Sequence, residues 1–220
     1  MTGATTISVL PTPMTRNQTA TLVGRTMGYV AATVGAFALG AYFGRNASTG
    51  LGWLLLIAAI ASLVAINKVA QRSPGLAAAI LLGFGMFLGL SLAPTLSYYA
   101  RTNPAILWQS GGATSLLVAA FGAAGYATRR DLSALARWLF WALVALIVFS
   151  VVLIFVQIPH GSVIYAVVGL VIFAGLIAYD FQRLRRTKDI RDAPLLAASI
   201  FLDLLNVFLL VLGLFSGDTN

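Results

Sequence analysis

Two stretches decide how this chain is read: Ala178-Tyr179-Asp180-Phe181-Gln182-Arg183 and, twenty-three residues after Asp180, Phe201-Leu202-Asp203-Leu204-Leu205-Asn206. The chain has six acidic residues, all of them Asp, and two fall where apolar runs would be expected to continue. An ionised carboxylate at membrane depth costs several kcal/mol, so such a residue marks a functional site by default, usually with a partner. The remainder of the sequence reads as the scaffold that brings these two aspartates together.

That scaffold is apolar. Of 220 residues, 60% are hydrophobic and 9% are charged, with a mean hydropathy of +0.93. A soluble domain carries roughly 25% charged residues. The apolar residues come in long runs without an amphipathic period, which points to an all-α polytopic membrane protein in contact with the lipid bilayer. The absence of cysteine excludes disulfides, thiolate metal sites and cysteine nucleophiles. A net charge of +8 raises the question of nucleic acid. The basic residues sit in short loops, however, which is the pattern of membrane topology and not of a nucleic-acid surface.

Seven apolar segments are expected, near 27–43, 51–66, 75–98, 105–126, 138–156, 162–179 and 194–215. Most reach the roughly 17–25 residues that cross a bilayer. The second is short and reaches residue 69 if Lys68 snorkels. Residues 1–24 are polar and are expected to form a mobile tail or interfacial segment, not a signal peptide, since no basic n-region and short apolar core are present. The seven-span domain is then 25–216, with a short tail at 217–220. Trp53, Trp108, Trp138 and Trp141 fall near segment ends, as interfacial anchors do. Gly40 and Gly44, and Gly85 and Gly89, form paired faces for close helix approach. Pro94 is expected to kink the third segment.

Twelve Lys and Arg residues fall on one side of this plan and two, Arg45 and Arg101, on the other. That split requires an odd number of spans, with the N-terminus in the cytoplasm and the C-terminus outside. The expected location is the plasma (inner) membrane.

Asp180 falls one residue past the apolar run of the sixth segment. It reads either as an interfacial acid pairing with Arg183 or Arg186, or as one half of a buried pair. Asp203 lies well inside the seventh segment. At about 100° per residue, Ser199, Asp203 and Asn206 share a narrow arc of an otherwise apolar helix, with Gly213 extending the stripe. Such a stripe lines a cavity or forms an interhelical hydrogen-bond network. Two carboxylates brought together cannot easily both ionise, so the pair can share a proton. It can also hold a hard divalent cation such as Ca²⁺, which favours carboxylate oxygen.

The two stretches resemble a family pattern, roughly Tyr-Asp-x-Gln-x followed by Leu-Asp-x-(Ile/Leu)-Asn-Leu-Phe, of the Bax inhibitor family and its bacterial members. The likeness extends to Gly89-Leu-Ser-Leu-Ala-Pro94 ahead of Tyr98 and Tyr99, and covers most of residues 20–215. The resemblance implies six helices around a central C-terminal seventh. It also implies a pH-sensitive Ca²⁺ leak in which Asp180 and Asp203 form a di-aspartyl sensor. Arg72 is the implied latch on that pair, with Lys68 as the fallback. Some relatives carry a glutamate in the second span; this chain has no Glu, and Ala61 or a neighbour takes that place.

Two other classes compete with a channel. An intramembrane aspartyl protease would also use two aspartates sharing a proton. Here the second Asp lacks a preceding Gly-x-Gly, and Asp192-Ala-Pro-Leu is not the expected Pro-Ala-Leu, so the sequence points away from an enzyme and names no catalytic residue. A structural or interaction protein that modulates other membrane complexes would use the acids only for helix contacts. A retinal protein is excluded because the last five segments contain no Lys for a Schiff base. His160 reads as a solvated turn residue. No cofactor is expected beyond a possible calcium ion. The arginine cluster after the sixth segment has a plausible secondary role on anionic headgroups.

Overall fold

The computed structural model describes residues 16–46, 49–156 and 159–217. Within them the chain forms seven α-helices: α1 Arg16–Phe43, α2 Thr49–Val69, α3 Pro74–Thr102, α4 Pro104–Ala127, α5 Ser133–Phe155, α6 Gly161–Arg186 and α7 Ala193–Ser216. All seven are long and apolar enough to cross a membrane. Helices are the expected solution, because a span in hydrocarbon must satisfy every backbone N–H and C=O internally. Punctuation in the sequence sets several ends. Proline begins α3 and α4, where its missing N–H is no loss. Gly217 ends α7 at φ +70°, a left-handed cap that glycine adopts without strain.

The most buried helix is α7. Leu196, Ala197, Phe201, Val207 and Leu212 are among its inaccessible side chains. It packs against α1, α4 and α6, and more lightly against α2 and α3. The C-terminal helix is thus central, and α5 completes the ring by packing on α6. Only Leu146 of α5 is buried, and Trp138, Trp141 and Phe155 point away from the protein. Trp53 and Trp108 are likewise exposed.

Helices α1 and α3 approach most closely at the paired glycines. A Cβ on Gly40 would meet the carbonyl of Met86, and one on Gly89 would meet the carbonyl of Phe37. These glycines therefore serve backbone contact, which stands in for hydrophobic drive between helices in lipid. Helix α3 continues through Pro94 to Thr102.

Several boundaries differ from the sequence expectation, among them the start of α5 at Ser133 and the end of α3 at Thr102. The helix α1 begins at Arg16, so residues 16–24, read as tail, are helical, and Leu22 is fully buried. The threonines there lower the mean hydropathy, while Leu22, Val23 and Met27 still supply an apolar face to the main core. The expected tails at 1–15 and 218–220 lie outside the described residues. Helix α2 takes the longer of the two ends that the sequence allows, Val69, with Lys68 exposed. Helix α6 runs on to Arg186, which places Asp180 inside a helix and not at its edge.

Candidate functional site

Asp180 lies six residues before the end of α6, about 9 Å along the axis. Asp203 lies ten residues into α7, about 15 Å from its start. Both therefore sit below the same, arginine-rich end of the bundle. Their residues are 4% and 7% exposed, so neither is the interfacial acid that the position of Asp180 allowed. The two carboxyl groups lie close enough to act on each other electrostatically. The Ser199 hydroxyl lies beside Asp180, and the Arg183 guanidinium acts on the same carboxylate. Neither Oδ2 atom has a hydrogen-bond partner among the described residues. Buried polar atoms without partners are rare and ask for an explanation, such as an ion, a water or a shared proton.

The polar stripe of α7 is divided in its use. Ser199 belongs to the acidic pair. Asn206 turns back on its own helix, its Nδ2 donating to the carbonyl of Leu202 at 2.8 Å. Two carboxylates and one hydroxyl offer fewer oxygens than the roughly six to eight that Ca²⁺ takes. No cluster of three or more Asp, Glu, His or Cys side chains occurs among the described residues. By itself the donor set falls short of a complete Ca²⁺ coordination shell.

The Arg72 side chain is exposed in the turn between α2 and α3 and makes no hydrogen bond or ion pair with any described residue, while its backbone N–H donates to the carbonyl of Val69 at 2.9 Å. Its neighbour Gln71 does dock: Nε2 donates to Oδ1 of Asp192 at 2.6 Å, just ahead of α7. The α2–α3 turn is therefore tethered to the start of the helix that carries Asp203. His160 caps α6 in a left-handed conformation and is exposed.

The residue that the sequence left without a role is Gln182. It is 2% exposed. Its Nε2 donates to the carbonyls of Arg130 at 2.6 Å and Thr128 at 3.3 Å, and its Oε1 accepts from the backbone N–H of Leu132 at 2.9 Å. One side chain thus holds the whole α4–α5 loop. Arg185 adds a bond to the carbonyl of Thr128 at 2.5 Å. Arg186 adds an ion pair to Asp131 at 2.9 Å. The Asp131 carboxyl is held below the usual range, chiefly by the backbone N–H of Ser133, then by the Ser133 hydroxyl, with Arg186 adding to both. On the same face of α6, one turn earlier, Gly125 of α4 rests on the backbone of Ala178, and Gly122 rests on the ring of Phe181. That face is held against α4 and the α4–α5 loop, and Asp180 lies on the opposite side of the helix, about 200° from both Ala178 and Gln182.

A seven-helix membrane protein with a central last helix and a buried aspartate on each of its last two helices is the class that fold and site define. The chain belongs to the Bax inhibitor family: residues 19–220 match the family model described as "Inhibitor of apoptosis-promoting Bax1". It is 32% identical over 169 residues to an uncharacterized protein of Helicobacter pylori, covering 74% of this chain and 72% of that protein. It is 29% identical over 174 residues to the inner membrane protein YbhL of Escherichia coli, covering 73% and 72%. A Deinococcus radiodurans protein is 28% identical over 216 residues, covering 91% and 92%.

Proposed function

We propose that this protein is a pH-sensitive calcium leak of the inner membrane, with Asp180 and Asp203 as its sensor and Arg72 as its latch. The reading rests on one observation: two buried carboxylates on adjacent helices, each with an oxygen lacking a described partner. Ionised, the pair attracts Arg72 from the tethered α2–α3 turn and the arginine-rich mouth stays shut. Protonation removes the attraction, and the closed–open equilibrium shifts by the difference in interaction between the two states. Cations that enter meet carboxylate oxygen but no cage, as a leak requires. In this reading the arginine-rich end faces the cytoplasm and the C-terminus faces outside, following the twelve-to-two split of basic residues. The protein acts without a cofactor and not as an enzyme.

The test is Ca²⁺ flux from proteoliposomes measured across pH for the wild type, Asp180→Asn, Asp203→Asn and Arg72→Gln. Flux that rises on acidification in the wild type, and loses that dependence in either Asn variant, supports the sensor. A pH profile left unaltered by Asp203→Asn would overturn it. Ser199 beside Asp180 favours a second reading, in which the acids only join helices in a structural or interaction protein. That reading predicts no protein-dependent flux and only a modest stability loss in Asp203→Asn.

A further inference from the structure

At the end of the bundle opposite the arginine-rich loops, α1, α3, α4 and α7 surround an open groove of about 1060 Å³. That is at the top of the range for small-molecule sites, roughly 300–1,000 Å³. Its wall is apolar, with Phe37 of α1 and Leu204 and Phe208 of α7 among the lining side chains. Its mouth carries Arg45 and Arg101, the two basic residues of this end of the chain.

The groove is separate from the acidic pair. Its α7 side chains, Phe201, Leu204, Leu205 and Phe208, lie on the opposite side of the helix axis from Ser199, Asp203 and Asn206, roughly 180° away. Phe201 closes the inner end, stacked edge-on against Phe37 at 6.1 Å and Phe84 at 5.8 Å between ring centroids.

The occupant is constrained by charge and depth. Both arginines are exposed and neither meets a carboxylate among the described residues; Arg45 lies over the ring of Tyr42 at 4.4 Å. Five of the six aspartates lie in or below the arginine-rich half, and the sixth, Asp218, is outside the described residues. A cation is repelled from this mouth by the two guanidinium groups. A soluble anion would be matched by the mouth but not by the apolar depth beneath. Thr114, 3% exposed, lines that depth with an Oγ1 that has no described partner, whereas Ser97 and Ser115 bond to carbonyls of their own helices.

We propose that the groove binds an anionic phospholipid, its phosphate between Arg45 and Arg101 and an acyl chain along Phe37, Leu204 and Phe208. Arginine matches phosphate geometry by paired N–H donors, and basic residues at the membrane surface attract anionic headgroups. The inference does not depend on the proposed leak.

Native mass spectrometry of the whole protein in detergent tests it, with phosphatidylglycerol and phosphatidylcholine of identical chains added in equal amounts. The wild type should retain phosphatidylglycerol about tenfold in excess. Arg45→Gln/Arg101→Gln should bring that ratio to parity, while Arg129→Gln/Arg130→Gln, at the other end, should leave it unchanged. Gly111→Leu fills the groove at a position where an added Cβ meets open space, so it should fold and lose retained lipid of both kinds. A preference that survives Arg45→Gln/Arg101→Gln, or undiminished lipid in Gly111→Leu, would overturn the site. Displacement of the lipid by an equal concentration of glycerol phosphate would overturn the lipid in favour of a free anion.

Discussion

The side-chain carbonyl of Gln182 accepts the backbone N–H of Leu132 at 2.9 Å, and its amide donates back to the carbonyl of Arg130 at 2.6 Å. The helix that carries Asp180 is therefore fastened, two residues further on, to a loop fifty residues earlier in the chain. A primary amide suits this job because it donates and accepts at once. The α4–α5 loop in turn gains backbone partners it cannot find within itself.

Replacing Gln182 by Leu keeps the volume and removes both functions. The N–H of Leu132 is left without its partner, at a cost of about 1–3 kcal/mol if it stays buried, and the carbonyl of Arg130 keeps only the longer contact from Arg186 at 3.4 Å. Thermal unfolding in detergent should show a clear loss of stability, and hydrogen exchange at Leu132 should speed up markedly. Gln182→Glu should do less harm at Leu132, since the acceptor remains. Equal exchange rates in wild type and Gln182→Leu would show that the loop is held by Arg185 and Arg186 alone.

Asp131 supplies a pH dependence of its own, and its sign is fixed. Its carboxyl is held below the ordinary aspartate value, first by the Ser133 N–H, then by the Ser133 hydroxyl and Arg186. A depressed folded pKa stabilises the folded loop above the unfolded pKa, and the contribution fades as pH falls through the lower folded value. The Arg186–Asp131 contact should accordingly be constant from pH 8 to about pH 5 and weaken only below about pH 4. Carboxyl chemical shifts of Asp131 across that range check it. Any change in ion flux near neutral pH must then originate elsewhere, and Asp131→Asn should leave it in place.

The contrast between Asp203 and Gln182 shows what a sequence of this kind exposes. Seven apolar runs are visible because hydrocarbon admits little else, and Asp203 is visible because it interrupts one. The closeness of Asp180 and Asp203 follows from shared depth on consecutive antiparallel helices. Gln182 gives no such signal: an amide at a helix end looks like any interfacial residue, and its partners are backbone atoms that leave no trace in side-chain pattern. Leu22 was hidden for a different reason, since neighbouring threonines mask a buried face in any averaged hydropathy. The position of Arg72 belongs to tertiary packing of a turn, and only likeness to a family singles it out.

If Asp180 and Asp203 share one environment, their substitutions should not be additive. Residues in one network show interaction energies of about 0.5–3 kcal/mol in double-mutant cycles, and independent sites agree within about 0.3–0.5 kcal/mol. Unfolding of Asp180→Asn, Asp203→Asn and the double variant, at one fixed pH and in one detergent, gives the coupling directly. The double variant should be more stable than the two single effects sum to, because the second substitution no longer removes a partner. Strict additivity would separate the two aspartates and remove the sensor from the proposed leak.

The glycines of α4 allow the placement of Asp180 to be tested without touching it. A Cβ at Gly125 would stand 2.5 Å from the Cα and carbonyl carbon of Ala178, closer than side-chain carbons are found, and backbone cannot rotate out of the way. Gly125→Ala must therefore push α6 from α4 at the turn before Asp180, with an overpacking cost of about 1–3 kcal/mol. At Gly111, on the same helix, an added Cβ meets open space. Gly111→Ala should then be neutral or stabilising by up to about 1 kcal/mol, the ordinary gain of alanine over glycine within a helix. Thermal melts of the two variants side by side separate the effect of packing from that of propensity. Gly125→Ala should also change flux through displacement of Asp180, whereas Gly111→Ala should not. Equal stabilities for the two variants would mean that α4 and α6 are not pressed together beside Asp180.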